Sequence, residues 1–185
     1  MTAGRRRVQG RAFQAGLDWT TVKRIKDRFR IPLAIKGIAT AEDAKLAVEH
    51  GVDWIYVSNH GGRQLDHGRG STDVLPEVVE AVGGRATIIV DGGYYRGSDI
   101  VKAIAAGAHL VGLGRLQCYA LAAGGQVAIV RLLELLEDEV ARCLGLLGVT
   151  RLADLDRSYL HPAPSVTAPH IFSAFPLLKI EDYRY

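Results

Sequence analysis

The sequence predicts an α/β fold of parallel strands joined by helices. Three observations lead there: four short apolar runs, helical patterns between them, and glycine or polar residues at the junctions. The runs are Pro32-Leu33-Ala34-Ile35-Lys36, Trp54-Ile55-Tyr56-Val57-Ser58, Ala86-Thr87-Ile88-Ile89-Val90-Asp91 and His109-Leu110-Val111-Gly112-Leu113-Gly114. Nearly continuous apolar runs of this length read as parallel strands buried on both faces. Their starts recur every ~22–32 residues, close to the length of a βα unit.

The elements follow in order. Residues 20–29 read as a helix ahead of the first strand. Thr40 is suited to cap a second helix carrying Glu42, Ala44, Leu46, Ala47 and Val48, which Gly51 ends. Residues 73–82 read as a third helix closed by Gly83-Gly84, and 98–106 as a fourth closed by Gly107. A long fifth, 121–144, carries Val127, Val130, Leu133, Leu136 and Val140 at helical spacing. Such units wind right-handed into an open sheet or a barrel. A full (βα)8 barrel takes about 250 residues, so these four strands supply about half of one. Residues 151–185 hold four of the six prolines and are expected to form an irregular C-terminal extension. Residues 1–16 are expected to be disordered, with Arg5-Arg6-Arg7 and Arg11 as solvated charge. The whole, 1–185, reads as a single incomplete domain.

Composition narrows the function. With 48% hydrophobic and 23% charged residues, the balance is that of a globular chain. A net charge of +3 is too small to indicate a nucleic-acid partner. No stretch reads as an integral membrane segment. Cys118 and Cys143 sit in apolar helical surroundings outside any Cys/His cluster. They read as buried packing residues in a reducing compartment, and a cytoplasmic location is expected.

The chemistry gathers at the strand ends, where functional groups collect in such folds. The first strand ends in Lys36-Gly37 and the second in Ser58-Asn59-His60-Gly61-Gly62-Arg63. The third ends in Asp91-Gly92-Gly93 and the fourth in Gly114-Arg115. Packing alone does not explain four polar ends in register, because burying unpaired polar groups is costly. The last two ends suggest a phosphate site: glycines let backbone N–H groups approach, and Arg115 adds a forked charged donor. At the second end, His60 is placed to take a proton near neutral pH. Arg63, three residues on, is placed to clamp a carboxylate through two hydrogen bonds. Lys36 must reach solvent or neutralise an anion.

Taken together these residues resemble the FMN-dependent L-2-hydroxy acid oxidases and dehydrogenases. The family signature Ser-Asn-His-Gly-(Gly/Ala)-Arg-Gln is intact as Ser58 to Gln64. The likeness continues through Leu33-Ala34-Ile35-Lys36-Gly37-Ile38, Asp91-Gly92-Gly93, Arg96-Gly97-Ser98-Asp99, Gly112-Leu113-Gly114-Arg115 and the Phe175-Pro176-Leu177-Leu178 tail. The resemblance implies the C-terminal half, strands five to eight, of a TIM (βα)8 barrel. It implies FMN as cofactor and oxidation of a small L-2-hydroxy acid to the 2-keto acid. His60 would be the general base and would contact substrate, and Arg63 would bind the substrate carboxylate. Lys36 would stabilise negative charge on the reduced flavin, and Ser58 would contact the ring. Asp91 would hold ribityl hydroxyls. Gly92, Gly93, Arg96, Gly114 and Arg115 would belong to the same cofactor site, Gly93, Gly114 and Arg115 at its phosphate.

Two departures qualify the resemblance. Tyr95 stands where the family has an arginine that helps bind phosphate, so weaker FMN affinity is expected. The half of the family's barrel that carries the aspartate orienting the histidine has no counterpart here. Four strands with open edges and an open apolar face invite self-association or pairing with an N-terminal half. The alternative function is a truncated, catalytically inactive half-barrel that only binds FMN or a partner chain.

Overall fold

The computed structural model describes residues 16–65 and 67–163. The expected N-terminal disorder, the Arg5–Arg11 cluster and the Phe175–Leu178 tail therefore lie outside the described residues.

The order is α1 (Trp19–Arg28), β1 (Ala34–Ile38), α2 (Ala41–Glu49), β2 (Trp54–Val57), α3 (Ser71–Val82), β3 (Thr87–Val90), α4 (Gly97–Ala105), β4 (Leu110–Val111) and α5 (Arg115–Leu147). The strands form one parallel sheet in the order β1-β2-β3-β4. The α/β expectation holds, with helix boundaries shifted by one or two residues in α1 to α4. Asp18 caps α1 by accepting from the Thr21 N–H, and Thr40 caps α2 by accepting from the Asp43 N–H. Gly83, at φ +55, ends α3 in the left-handed conformation that glycine adopts freely.

The two faces of the sheet differ. Ile55, Val57, Ile88 and Val90 point to one face and are buried with Ala44, Ala47, Val74, Leu75, Val78, Val82 and Ala103 from α2, α3 and α4. The other face carries Ala34, Lys36, Trp54, Tyr56, Thr87, Ile89 and Leu110, which the register places side by side. There Trp54 is 44% exposed and Leu110 49%. The second face is thus less covered than the first, although Ile89 at its centre stays buried. A smaller cluster of Val101, Ala105, Val149 and Leu155 ties α4 to the chain after α5.

Three expectations need correction. The fourth strand is two residues long: the Gly112 N–H still donates to the Val90 carbonyl at 2.8 Å, and the chain then turns to start α5. Consequently α5 begins at Arg115 and runs for 33 residues, with non-helical backbone at Gly124 and Gly125. That apolar stretch is long enough to cross a membrane by length and composition, with a window of mean hydropathy 1.4. The expected helix, 121–144, starts six residues late and stops three early. Core helices of globular proteins meet the same criterion, although here only Leu136 of α5 is buried. Finally, Cys118 is exposed and Cys143 half-buried. Cys118 occupies the first turn of α5 beside a cavity, so it does not pack in the core as expected.

Candidate active site

A parallel sheet brings the ends of all its strands to one rim, and the four polar strand ends meet there. A cavity of about 610 Å³ opens on the rim, lined in part by Lys36, His60, Arg63, Asp91, Gly92, Gly93, Gly114 and Arg115. Ser58, 2% exposed, sits directly behind it.

Lys36 is the hub. Its Nζ donates to Ser58 Oγ at 2.6 Å and pairs with Asp91 Oδ2 at 3.0 Å. Ser58 Oγ also accepts the backbone N–H of His60 at 3.1 Å, which ties the loop after β2 to the lysine. Asn59 fixes the same loop: its N–H donates to Ser71 Oγ, and its Oδ1 accepts the Gly61 N–H at 3.0 Å. The loop is tightly turned, with positive φ at Gly61, Gly62 and His60 itself (+57). A side chain beyond glycine rarely adopts this conformation, and such backbone concentrates at functional sites. The His60 imidazole lies over Gly37, where an added Cβ would stand 2.9 Å from Cε1. Gly37, at φ +104, breaks the β1–β2 register at this point.

The electrostatics favour an anion with hydroxyl groups. Arg63 and Arg115 are exposed to the cavity, and neither has a carboxylate partner among the described residues. Asp91 Oδ1 is buried and accepts no hydrogen bond among the described residues. A buried acceptor left unmatched is costly, so this atom marks a place for a donor. Gly93 and Gly114 face open space, where a Cβ would meet nothing within 4 Å.

Arg96 does not join the site. Its Nε and Nη2 bind the Glu139 carboxylate at 2.9 and 2.8 Å, and the Gly97 N–H donates to the same carboxylate at 2.6 Å. Arg96 first, then the Gly97 N–H, holds the Glu139 carboxyl below its ordinary range. The arginine thus clamps α4 to α5, a role for which its place in the sequence carries no signal. Among the described residues, no side chain hydrogen-bonds the His60 imidazole.

The sequence of this chain matches the model of the FMN-dependent dehydrogenase family over residues 1–162. The chain belongs to that family. An L-lactate oxidase of Nostoc sp. is 45% identical over 145 residues, covering 78% of this chain and 40% of the relative. A peroxisomal (S)-2-hydroxyacid oxidase of Arabidopsis thaliana is 42% identical, covering 81% and 41%. A solved structure of a mandelate oxidase variant with a monooxide FMN adduct superposes with TM-score 0.72 at 43% identity, covering 74% of this chain and 44% of that one. The chain therefore spans about two-fifths of the length of the curated relatives it matches.

Within this FMN-dependent dehydrogenase chain, sequence reasoning missed Tyr56 and Gly112, which also line the cavity. Tyr56 was hidden as one aromatic residue in an apolar run. A signal was available: it lies two residues before Ser58, and pairs in register with Lys36. Tyr95 also lines the cavity. Its neighbour Tyr94 is buried and shares a 2.9 Å hydrogen bond with Thr72, which anchors the loop after β3 to α3.

Proposed function

We propose that this chain forms strands five to eight of a (βα)8 barrel that oxidises a small L-2-hydroxy acid to the 2-keto acid with FMN. The observation that carries the proposal is the convergence on one rim of His60, two arginines without carboxylate partners among the described residues, and the Lys36–Asp91 pair with an acceptor that finds no donor there. The residues present fit the cofactor. Asp91 Oδ1 is an acceptor for a ribityl hydroxyl. The open backbone at Gly93 and Gly114, beside Arg115, suits the phosphate. Lys36, held by Ser58, supplies positive charge for the ring. When bound, FMN supplies the two-electron acceptor.

Arg63 orients the substrate by its carboxylate, through its planar fork. His60 accepts the proton of the 2-hydroxyl as the carbon is oxidised. Further strands would cover the open face, supplied by a second copy of this chain or by an N-terminal half of the barrel. The exposed Trp54 and Leu110 on the open sheet face support this, since an uncovered apolar face favours association.

The test is direct. FMN is titrated into the protein and its fluorescence followed, then L-lactate, glycolate or L-mandelate is added without oxygen, with and without a chain carrying strands one to four. Loss of the yellow absorbance supports the proposal. Binding without bleaching in either condition favours the inactive alternative, and absence of binding refutes the cofactor assignment.

A further inference from the structure

Most glycines lining the cavity have a backbone reason to be glycine. Gly61, Gly92 and Gly93 all hold positive φ, whereas Gly112 and Gly114 do not. At Gly112 the φ lies outside the left-handed region, so it is space that a side chain lacks. A Cβ at Gly112 would collide with the Tyr56 hydroxyl and would stand 3.2 Å from Asp91 Cβ. Tyr56 belongs to β2 and pairs with Ile89 of β3, so its ring crosses the sheet to reach the end of β4. On the way it lies beneath Lys36, whose Nζ is 4.9 Å from the ring centroid. The phenol thus touches the hub of the site on three strands.

We propose that Tyr56 is a positioning residue of this site: its ring seats the Lys36 ammonium, and its hydroxyl, seated on Gly112, supports Asp91. Lys36 then has the Ser58 hydroxyl, the Asp91 carboxylate and an aromatic face around it. A lysine with 40% of its side chain exposed would otherwise sample many rotamers. A cation over an aromatic face is attracted to its negative quadrupole. Burial first, and the charge of Asp91 second, raise the Tyr56 hydroxyl above its ordinary range, so it keeps its proton beside the carboxylate. Gly112 is the complement that makes room for this reach. The proposal rests on the flavin reading only for the identity of the ligand that Lys36 and Asp91 serve.

The experiment separates the two. Lys36 acetylation by acetic anhydride is measured by mass spectrometry in the full chain, relative to Lys26, which is held by Asp53 at 2.6 Å. Tyr56→Leu should raise the Lys36 rate about two- to fivefold, while Tyr56→Phe, which keeps the ring, should leave it close to wild type. Gly112→Ala should lower the thermal midpoint, and adding Tyr56→Phe should recover part of the loss, because the contacts that remain, Asp91 Cβ and Tyr56 Cζ, both stand at 3.2 Å. An unchanged Lys36 rate in Tyr56→Leu, or no rescue of Gly112→Ala by Tyr56→Phe, overturns the proposal. Should Tyr56→Leu fail to fold, the rescue decides alone. Both readouts work without FMN, so failure of the wild-type protein to bind FMN would remove the flavin reading and leave this test intact.

Discussion

Gly37→Ala tests how the end of β1 makes room for His60. Two effects act against the alanine. The backbone sits at φ +104, which costs a residue with a Cβ on the order of 1–3 kcal/mol. The new methyl would also stand 2.9 Å from His60 Cε1, so the ring must retreat by roughly 0.5 Å to restore ordinary contact. Because His60 is exposed on its loop, the ring has space to swing, and backbone strain is the larger effect. A net loss of about 2 kcal/mol corresponds to a fall of ~4–8 °C in thermal midpoint for a chain of this size. Circular dichroism measures the midpoint, and the NMR resonance of the His60 Cε1 proton reports the displaced ring. A midpoint within about 1 °C of wild type, together with an unmoved resonance, would refute this account of Gly37.

Other predictions follow from the same geometry. Tyr95→Arg should tighten FMN binding by about tenfold, the effect of one charged phosphate contact; equal affinities by fluorescence titration would remove the idea that Tyr95 weakens the site. Glu139→Gln should lower the urea-derived stability by about 1 kcal/mol, a surface-scale value because Arg96 is 65% exposed; an unchanged midpoint would show that the α4–α5 clamp contributes nothing. The carboxyls of Asp53 and Glu139 are held below their ordinary values of 3.8 and 4.5, chiefly by hydrogen bonds from Lys26 and Arg96 respectively. Both bind protons less readily folded than unfolded, so their contribution is complete above those ordinary values. It is lost as pH falls through the lower folded-state values. Thermal midpoints should therefore be insensitive to these two groups near neutral pH and should drop on acidification below about pH 4. A double Asp53→Asn, Glu139→Gln variant should show a shallower acid decline, and an equally steep one would refute the assignment.

Local pattern made much of this protein legible. Thr40, Gly51 and Gly83 punctuate helices wherever they occur, because capping and left-handed turns depend on a few neighbouring residues. Apolar runs marked the strands, and the motif Ser58 to Gln64 marked the loop that holds His60 and Arg63. Interactions across the sheet were not legible. Arg96 lies within the motif-rich stretch after β3, yet it spends its charge on Glu139, 43 residues away. Tyr56 looked like one more strand aromatic until the register set it under Lys36 and against Gly112.

By itself, then, the sequence determined the element types, the family motif and the strand ends that carry chemistry. Each depends on propensity, period or residues adjacent in the chain. The tertiary structure alone decided which of those polar groups face one cavity, which acceptor is left without a donor, and which sheet face is uncovered. These depend on distances between residues far apart in the chain, and the packed sheet sets them.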